Sequence, residues 1–265
     1  MKKYTIGLYE KAMPSTLTWK EKLKAAKEAG YDFVEISIDE TDEKIARLNW
    51  TKEERLELVK TMYEVGIPVR TMCLSGHRKY PLGSNDEQTV RRGMEIMEKA
   101  LELADDLGIR IIQLAGYDVY YEEGSEATRK RFAENLTKAV QMASSLGIVM
   151  GFETMETEFM NTVEKAMAYV KANESPYLNV YPDCGNIMNA AVSYGKNVLD
   201  DIETGRGHMA AMHLKETKPG VFRDLLYGQG HVPFAEIIDK AWKMGIRKYV
   251  TEFWYLGGEN WKQDL

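Results

Sequence analysis

Short apolar runs alternate with longer amphipathic segments from one end of the chain to the other. Thr5 to Tyr9, Phe33 to Ile38, Val69 to Leu74 and Arg110 to Ala115 are of strand length and mostly apolar, so they are predicted strands. Between them, apolar residues recur at helical spacing over Thr18 to Ala29, from Thr51 to just before Gly66, over about Asp86 to Leu107, and over about Ala127 to Leu146. The same alternation continues with predicted strands at Ile148–Glu153, Leu178–Asp183, His208–His213 and Lys248–Glu252. The helical segments there are about Thr162 to Ala172, a stretch ending near Gly205, and Phe234 to Met244.

Local signals sharpen the boundaries. Thr18 with Glu21, and Thr51 with Glu54, have the spacing of a capping box at a helix start. Gly30, Gly66, Gly108, Gly147 and Gly245 each follow a predicted helix, where a left-handed residue ends the helix and the next strand begins at once. Such alternation specifies a parallel sheet with helical crossovers. At 265 residues, with no linker or low-complexity tract, the chain is predicted to form one α/β domain over 1–265, a (β/α)8 TIM barrel. Only eleven residues follow Trp254, so the final helix is expected to be short or missing.

Four strand ends in the second half carry residues of metal-ligand type: Glu153, Asp183, His213 and Glu252, separated by 30, 30 and 39 residues. Each interval is about one strand-helix-strand crossover, which puts the four side chains at one height around the C-terminal mouth of the barrel. Any one of them alone is more simply a solvated residue where the chain leaves the core. Four at this spacing point to a shared site. Three carboxylates and one imidazole form a mostly hard donor set that favours Mn²⁺ or Mg²⁺, while the histidine admits Zn²⁺ or Co²⁺. Glu153 and Glu252 approach from different strands, as a base and an acid on opposite faces of a carbon next to a carbonyl would. A metal would polarise that carbonyl and hold the enediolate formed on deprotonation.

Other polar residues are candidates near the mouth. Glu35 and Asp39 end the second strand, and Lys215 follows His213 on the same strand face. His77 and Arg78 follow the third strand and read equally well as substrate or phosphate contacts and as a solvated loop pair. The loop from Lys215 to His231 lies where barrels often bind phosphate, and the aromatic segment from Gly116 to Tyr121 suits a pocket wall or lid. His208 and His231 read as structural or exposed, and the methionines as core filler. Gly205 to Ala210 matches a dinucleotide glycine pattern but precedes a strand instead of joining strand to helix, so it is accidental.

Composition narrows the classes. Hydrophobic residues at 44% and charged residues at 29% are ordinary for a globular protein, and a net charge of -6 without a basic tract opposes nucleic-acid binding. Two distant cysteines, Cys73 and Cys184, suggest a reducing compartment. No signal-peptide pattern and no run of roughly 20 apolar residues is present, so a cytoplasmic protein that does not enter the membrane is expected.

With these residues in view, the chain resembles the L-ribulose-5-phosphate 3-epimerase family, also called L-xylulose-5-phosphate 3-epimerases, within the xylose-isomerase-like barrels. The resemblance rests on Phe33–Glu43, Met72–Arg78, Ile112–Tyr121, Tyr181–Asn186 and His213–Gly220, and extends from Gly7 to Trp254. It implies a divalent metal on Glu153, Asp183, His213 and Glu252, with the two glutamates as the acid/base pair. The implied reaction is C3 epimerisation of a ketopentulose 5-phosphate in pentose or ascorbate catabolism, often by a homodimer. Substrate contacts are then expected among Glu35, His77, Arg78, Gln113, Glu156, Asn186 and Lys215. Asn186 stands where related ketose 3-epimerases have a histidine, which fits the phosphate-using branch. The alternatives are an epimerase or isomerase of an unphosphorylated ketose, a DNA-repair nuclease of the endonuclease IV kind, and a non-catalytic sugar-phosphate sensor. Four histidines in the whole chain are few for the three-metal cluster such a nuclease needs.

Overall fold

A computed structural model describes residues 2–265; Met1, part of the predicted 1–265 unit, lies outside the described residues. Eight strands form a single parallel sheet: β1 (Thr5–Tyr9), β2 (Phe33–Ile38), β3 (Val69–Leu74), β4 (Ile111–Ala115), β5 (Val149–Glu153), β6 (Leu178–Val180), β7 (Met212–Leu214) and β8 (Lys248–Thr251). Their order is β6-β5-β4-β3-β2-β1-β8-β7. The sheet closes between β6 and β7 through parallel bridges, Val180 with Met209 and Asp183 with His213. This is the predicted (β/α)8 barrel.

The helices are α1 (Trp19–Glu28), α2 (Asp42–Ala46), α3 (Lys52–Val65), α4 (Glu87–Leu107), α5 (Glu126–Ser145), α6 (Val163–Asn173), α7 (Cys184–Tyr194), α8 (Val198–Thr204) and α9 (Phe234–Lys243). Both predicted capping boxes form, Thr18 with Glu21 and Thr51 with Glu54, each satisfying backbone donors that the first helical turn leaves free. All five predicted glycines adopt positive φ.

β7 begins at Met212, four residues after the predicted start at His208, and three other elements differ from expectation for a local reason. The predicted strand to Asp183 keeps a regular ladder only to Val180, because Pro182 has no N–H to donate. The segment nevertheless stays extended: Tyr181 N–H donates to Phe152 O at 2.7 Å, and Pro182 O accepts from His213 N–H at 2.9 Å. The helical stretch before Gly205 is two helices, α7 and α8, split at Gly195, whose φ is 61°. α2 has only five residues, too few to show a helical period. After β8 the chain forms a 3-10 turn at Trp261–Gln263.

Strand alternation sorts side chains between two environments. Val34, Ile36 and Ile38 face outward into the main apolar core beneath the helices. Phe33, Cys73, Tyr181, Ala211 and Val250, with Tyr9, pack into a smaller cluster. They come from six strand segments, which places this cluster inside the barrel. Glu35, Thr71 and Gln113 are also fully buried, at alternating positions that put them in the same interior.

Candidate metal centre and substrate pocket

Glu153 ends β5, Asp183 caps α7, His213 lies in β7, and Glu252 follows β8. All four are buried, and one ligand atom from each lies within 4.8 Å of the others. Spacing along the sequence thus becomes proximity in space.

The cluster is held from behind. Glu35 Oε1 lies 2.6 Å from His213 Nε2, and Tyr181 donates its hydroxyl to the other Glu35 oxygen at 3.0 Å. The opposite ring nitrogen, Nδ1, faces Glu252 at 2.9 Å and Glu153 at 3.9 Å. Nε2 thus has a carboxylate acceptor, and Nδ1 is left to face the other ligands. Asp183 is similarly divided: Oδ1 accepts from Asn186 N–H at 2.6 Å as the cap of α7, whereas Oδ2 is buried with no hydrogen-bond partner. Lys215 Nζ lies 3.2 Å from Asp183 and 3.7 Å from Glu252, and donates to Asn186 Oδ1 at 2.9 Å.

Charge in the cluster is uneven. Burial, reinforced by the Glu252 carboxylate, pushes Glu153 up to about 8. Burial also raises Asp183 to about 7, with Lys215 opposing and Glu252 adding. Glu252 is held well below the usual carboxylate range because Lys215 and His213 outweigh its burial. Burial disfavours a charged His213 ring, but the carboxylates of Glu35 and Glu252 outweigh it and drive the ring well above its ordinary value.

The residues fit a divalent metal. An orphaned carboxylate oxygen, an imidazole nitrogen turned toward the acidic oxygens, and more anionic charge than Lys215 and His213 neutralise are what a dication would satisfy. No second group of three or more ligand-type side chains occurs among the described residues.

Above the cluster opens a pocket of about 200 Å³, lined by Glu153, Glu252, Arg78, Glu156, Asn186 and Lys215 among others. Four of the seven expected substrate contacts therefore reach it, and three do not. Glu35 lies behind His213 and supports the ring, so the expectation of a sugar contact is corrected. Gln113 is fully buried inside the barrel, its amide atoms without partners. His77 turns under the loop and hydrogen-bonds Gly93 O at 3.1 Å; burial outweighs that bond and lowers its pKa to about 4, so it stays neutral and offers no charge to a phosphate. Several lining residues were missed: Tyr9, Lys11, Phe222, Arg223 and Trp254. Tyr9, Lys11 and Trp254 also sit at strand ends, a signal that could have found them. Tyr117 and Tyr120 from the predicted aromatic wall hydrogen-bond Glu156 at 2.6 and 3.3 Å.

Comparison with known proteins bears on this geometry. The model of the xylose isomerase-like TIM barrel family matches residues 23–265. L-ribulose-5-phosphate 3-epimerase UlaE from Escherichia coli (strain SE11) is 43% identical over 254 residues, 96% of this chain and 88% of that protein. The chain belongs to the L-ribulose-5-phosphate 3-epimerase family. Solved structures agree on the fold. Apo 3-keto-D-glucoside 4-epimerase YcjR from E. coli superposes with a TM-score of 0.78 at 19% identity, covering 99% of this chain and 97% of that one. D-psicose 3-epimerase from Clostridium cellulolyticum H10, solved with D-tagatose, gives 0.80 at 17% identity, covering 96% and 87%. As a member of this family the chain is a sugar-phosphate 3-epimerase with a buried Glu/Asp/His metal-site cluster. No helix among the described residues is long and apolar enough to cross a membrane.

Proposed function

We propose that this chain interconverts L-ribulose 5-phosphate and L-xylulose 5-phosphate by moving a proton at C3, with Glu153 and Glu252 as the two proton-transfer groups. The observation that carries the reading is the presence of both buried glutamates in the wall of one pocket, in a family whose 43%-identical member is named for this reaction. C3 is next to the C2 carbonyl, so its proton is acidic enough for a carboxylate to remove. One glutamate takes that proton and leaves an enediolate; the other returns a proton to the opposite face and inverts the carbon. Glu153 and Glu252 come from different strands of the barrel, β5 and β8, so the two carboxyl groups can meet a bound sugar from different sides. Glu153, Asp183, His213 and Glu252 would hold a divalent cation, Mn²⁺ or Mg²⁺ from the hard donor set, which supplies a Lewis acid for the carbonyl. Lys215, fixed by Asn186, keeps a positive charge beside Glu252.

The test is proton exchange in heavy water with Mn²⁺ present. Deuterium is expected at C3 of both pentulose phosphates, and neither Glu153→Gln nor Glu252→Gln should epimerise. Absence of label in both sugars ends the proposal. A higher kcat/KM for L-ribulose than for its 5-phosphate would shift the reading to an unphosphorylated ketose.

A further inference from the structure

At the end of the barrel away from the substrate pocket, where the strands begin, lies a second cavity of about 340 Å³. β1 and β8 start there in register, Thr5 beside Lys248, and Met209 and Ala210, which lead into β7, form another wall. Chemistry in these barrels belongs to the opposite, C-terminal face. Lys2, Lys3, Arg247 and Lys248 all line this cavity, and no carboxylate does among the described residues. Arg70, near the start of β3, adds its charge to the field at Lys248. In a chain of net charge -6 such a gathering of cations is costly through self-repulsion, and it marks the face for an anion.

Neighbouring groups neutralise little of this charge. Asp32 is committed to Lys2, whose Nζ lies 2.7 Å away, and to Ile6 N–H at 2.8 Å. Lys3, Arg247 and Lys248 make no ion pair within 4.0 Å among the described residues. Lys248 is half-buried, its ammonium 4.9 Å from the centroid of the Phe33 ring inside the barrel, and it makes no side-chain hydrogen bond there. Burial, with Arg70 adding, pushes its pKa down. A partly desolvated cation without a partner gains more from an arriving anion than a fully hydrated one does.

We propose that this cavity binds a small anion carrying two phosphate groups, with Lys3, Arg247 and Lys248 as its contacts. A phosphate monoester carries about -1.5 to -2 charges at neutral pH, so two of them balance the four lining cations where a single monoanion would not. Arg247 is already aimed. Its Nη1 donates to Trp242 O at 2.7 Å and Ile246 O at 2.8 Å, and its guanidinium stacks 3.6 Å from the Trp242 ring centroid. Nε and Nη2 have no hydrogen bond among the described residues, which leaves donors of the planar fork for phosphate oxygens. Tyr4 meets Trp242 edge-on at 6.4 Å, and Lys2 lies 4.7 Å from the Tyr4 ring centroid, so aromatic contacts hold two of the cations at the rim. The site is separate from the metal centre, and its existence does not depend on the epimerase reaction.

Calorimetric titration of the Mn²⁺-loaded protein with bisphosphoglycerate, and separately with ADP, tests the site, and amide hydrogen exchange locates it. At least one probe should bind, and it should slow exchange over residues 2–5 and 245–248. Tighter binding of ADP identifies a joined diphosphate as the preferred form, and tighter binding of bisphosphoglycerate identifies separate phosphates. Lys248→Met, which keeps the side-chain stem over Phe33, is expected to weaken binding about tenfold or more, the size of a lost charge-assisted hydrogen bond, and Lys3→Ala, at an exposed position, should weaken it in the same direction. Affinity should also fall as salt is added. Absence of heat with either probe at millimolar concentration overturns the proposal. So does protection confined to the substrate-pocket loops, or an affinity within twofold of wild type in Lys248→Met.

Discussion

Replacing Glu35 by Gln tests how the metal centre is oriented. Glu35 is fully buried, with one oxygen 2.6 Å from His213 Nε2 and the other accepting from Tyr181 at 3.0 Å. A metal on Nδ1 needs that nitrogen unprotonated, which places the ring proton on Nε2, and a carboxylate is the acceptor that holds it there. Gln preserves the volume and can offer a carbonyl oxygen, but it removes the charge. Hydrogen bonds to charged groups are worth about 1.5–3 kcal/mol net and neutral ones about 0.5–1.5 kcal/mol, so the exchange should cost roughly 1–2 kcal/mol of ring orientation and ligand basicity. Mutation of such supporting groups behind metal-bound histidines typically lowers affinity about 10- to 100-fold. Glu35→Gln should therefore bind Mn²⁺ about tenfold or more weakly, measured by paramagnetic resonance of free Mn²⁺ in a chelator competition. Circular dichroism should show the barrel intact. Binding within twofold of wild type would refute the supporting role and leave the contact between Glu35 and His213 without consequence for the metal.

Three further expectations follow from other parts of the structure. Buried Glu10 accepts from Arg47 and Lys44 with Lys22 nearby, and these cations outweigh its burial and lower it from 4.5 to about 2. That depression contributes on the order of 3 kcal/mol, present above about pH 4.5 and lost as pH falls toward 2, so Glu10→Gln should flatten the acid limb of a denaturant-derived stability curve; an unchanged limb contradicts this. A Cβ on Gly151 would sit 2.7 Å from Tyr181 Cβ, so Gly151→Ala should cost about 1–3 kcal/mol by overpacking and weaken the metal site through Tyr181 and Glu35; an unaltered melting temperature argues against it. Chelation with EDTA should abolish epimerisation, with recovery on adding Mn²⁺, and should lower the melting temperature, since a ligand at about 100 times its Kd adds about 2.7 kcal/mol; a melting curve indifferent to EDTA counts against a metal in this cluster.

What was legible in the sequence is what repeats along it. The strand and helix alternation, the glycine ends, the two capping boxes and the four ligand positions all follow from periods within one crossover, and each is where the spacing puts it. The boundaries that failed depend on single residues: Pro182 cuts a ladder, and Gly195 divides one helical stretch into two. Asp183 was read as a ligand only, although the same side chain caps α7 with one oxygen and leaves the other free. The two roles are compatible because a carboxylate has two oxygens, and no count of residue types could have separated them.

The role of Glu35 was out of reach for a different reason. It meets His213 across 178 positions in sequence, and its place on an interior strand position made it indistinguishable from a residue facing the mouth. Alternation along β2 fixes the face of the sheet but not the height within the barrel, and height decides whether a carboxylate touches sugar or supports a ring. His77 shows the complementary limit: a histidine just past a strand end can turn under its own loop as readily as over the pocket, and only the Gly93 carbonyl settles the direction. Arg78 shows a third kind of limit: the sequence places it just past a strand end, but only the fold brings it within 3.7 Å of Glu156 and 3.9 Å of Glu40. Spacing can locate the ligands of an ion, but the groups that aim those ligands emerge only when each charge is matched to its neighbours.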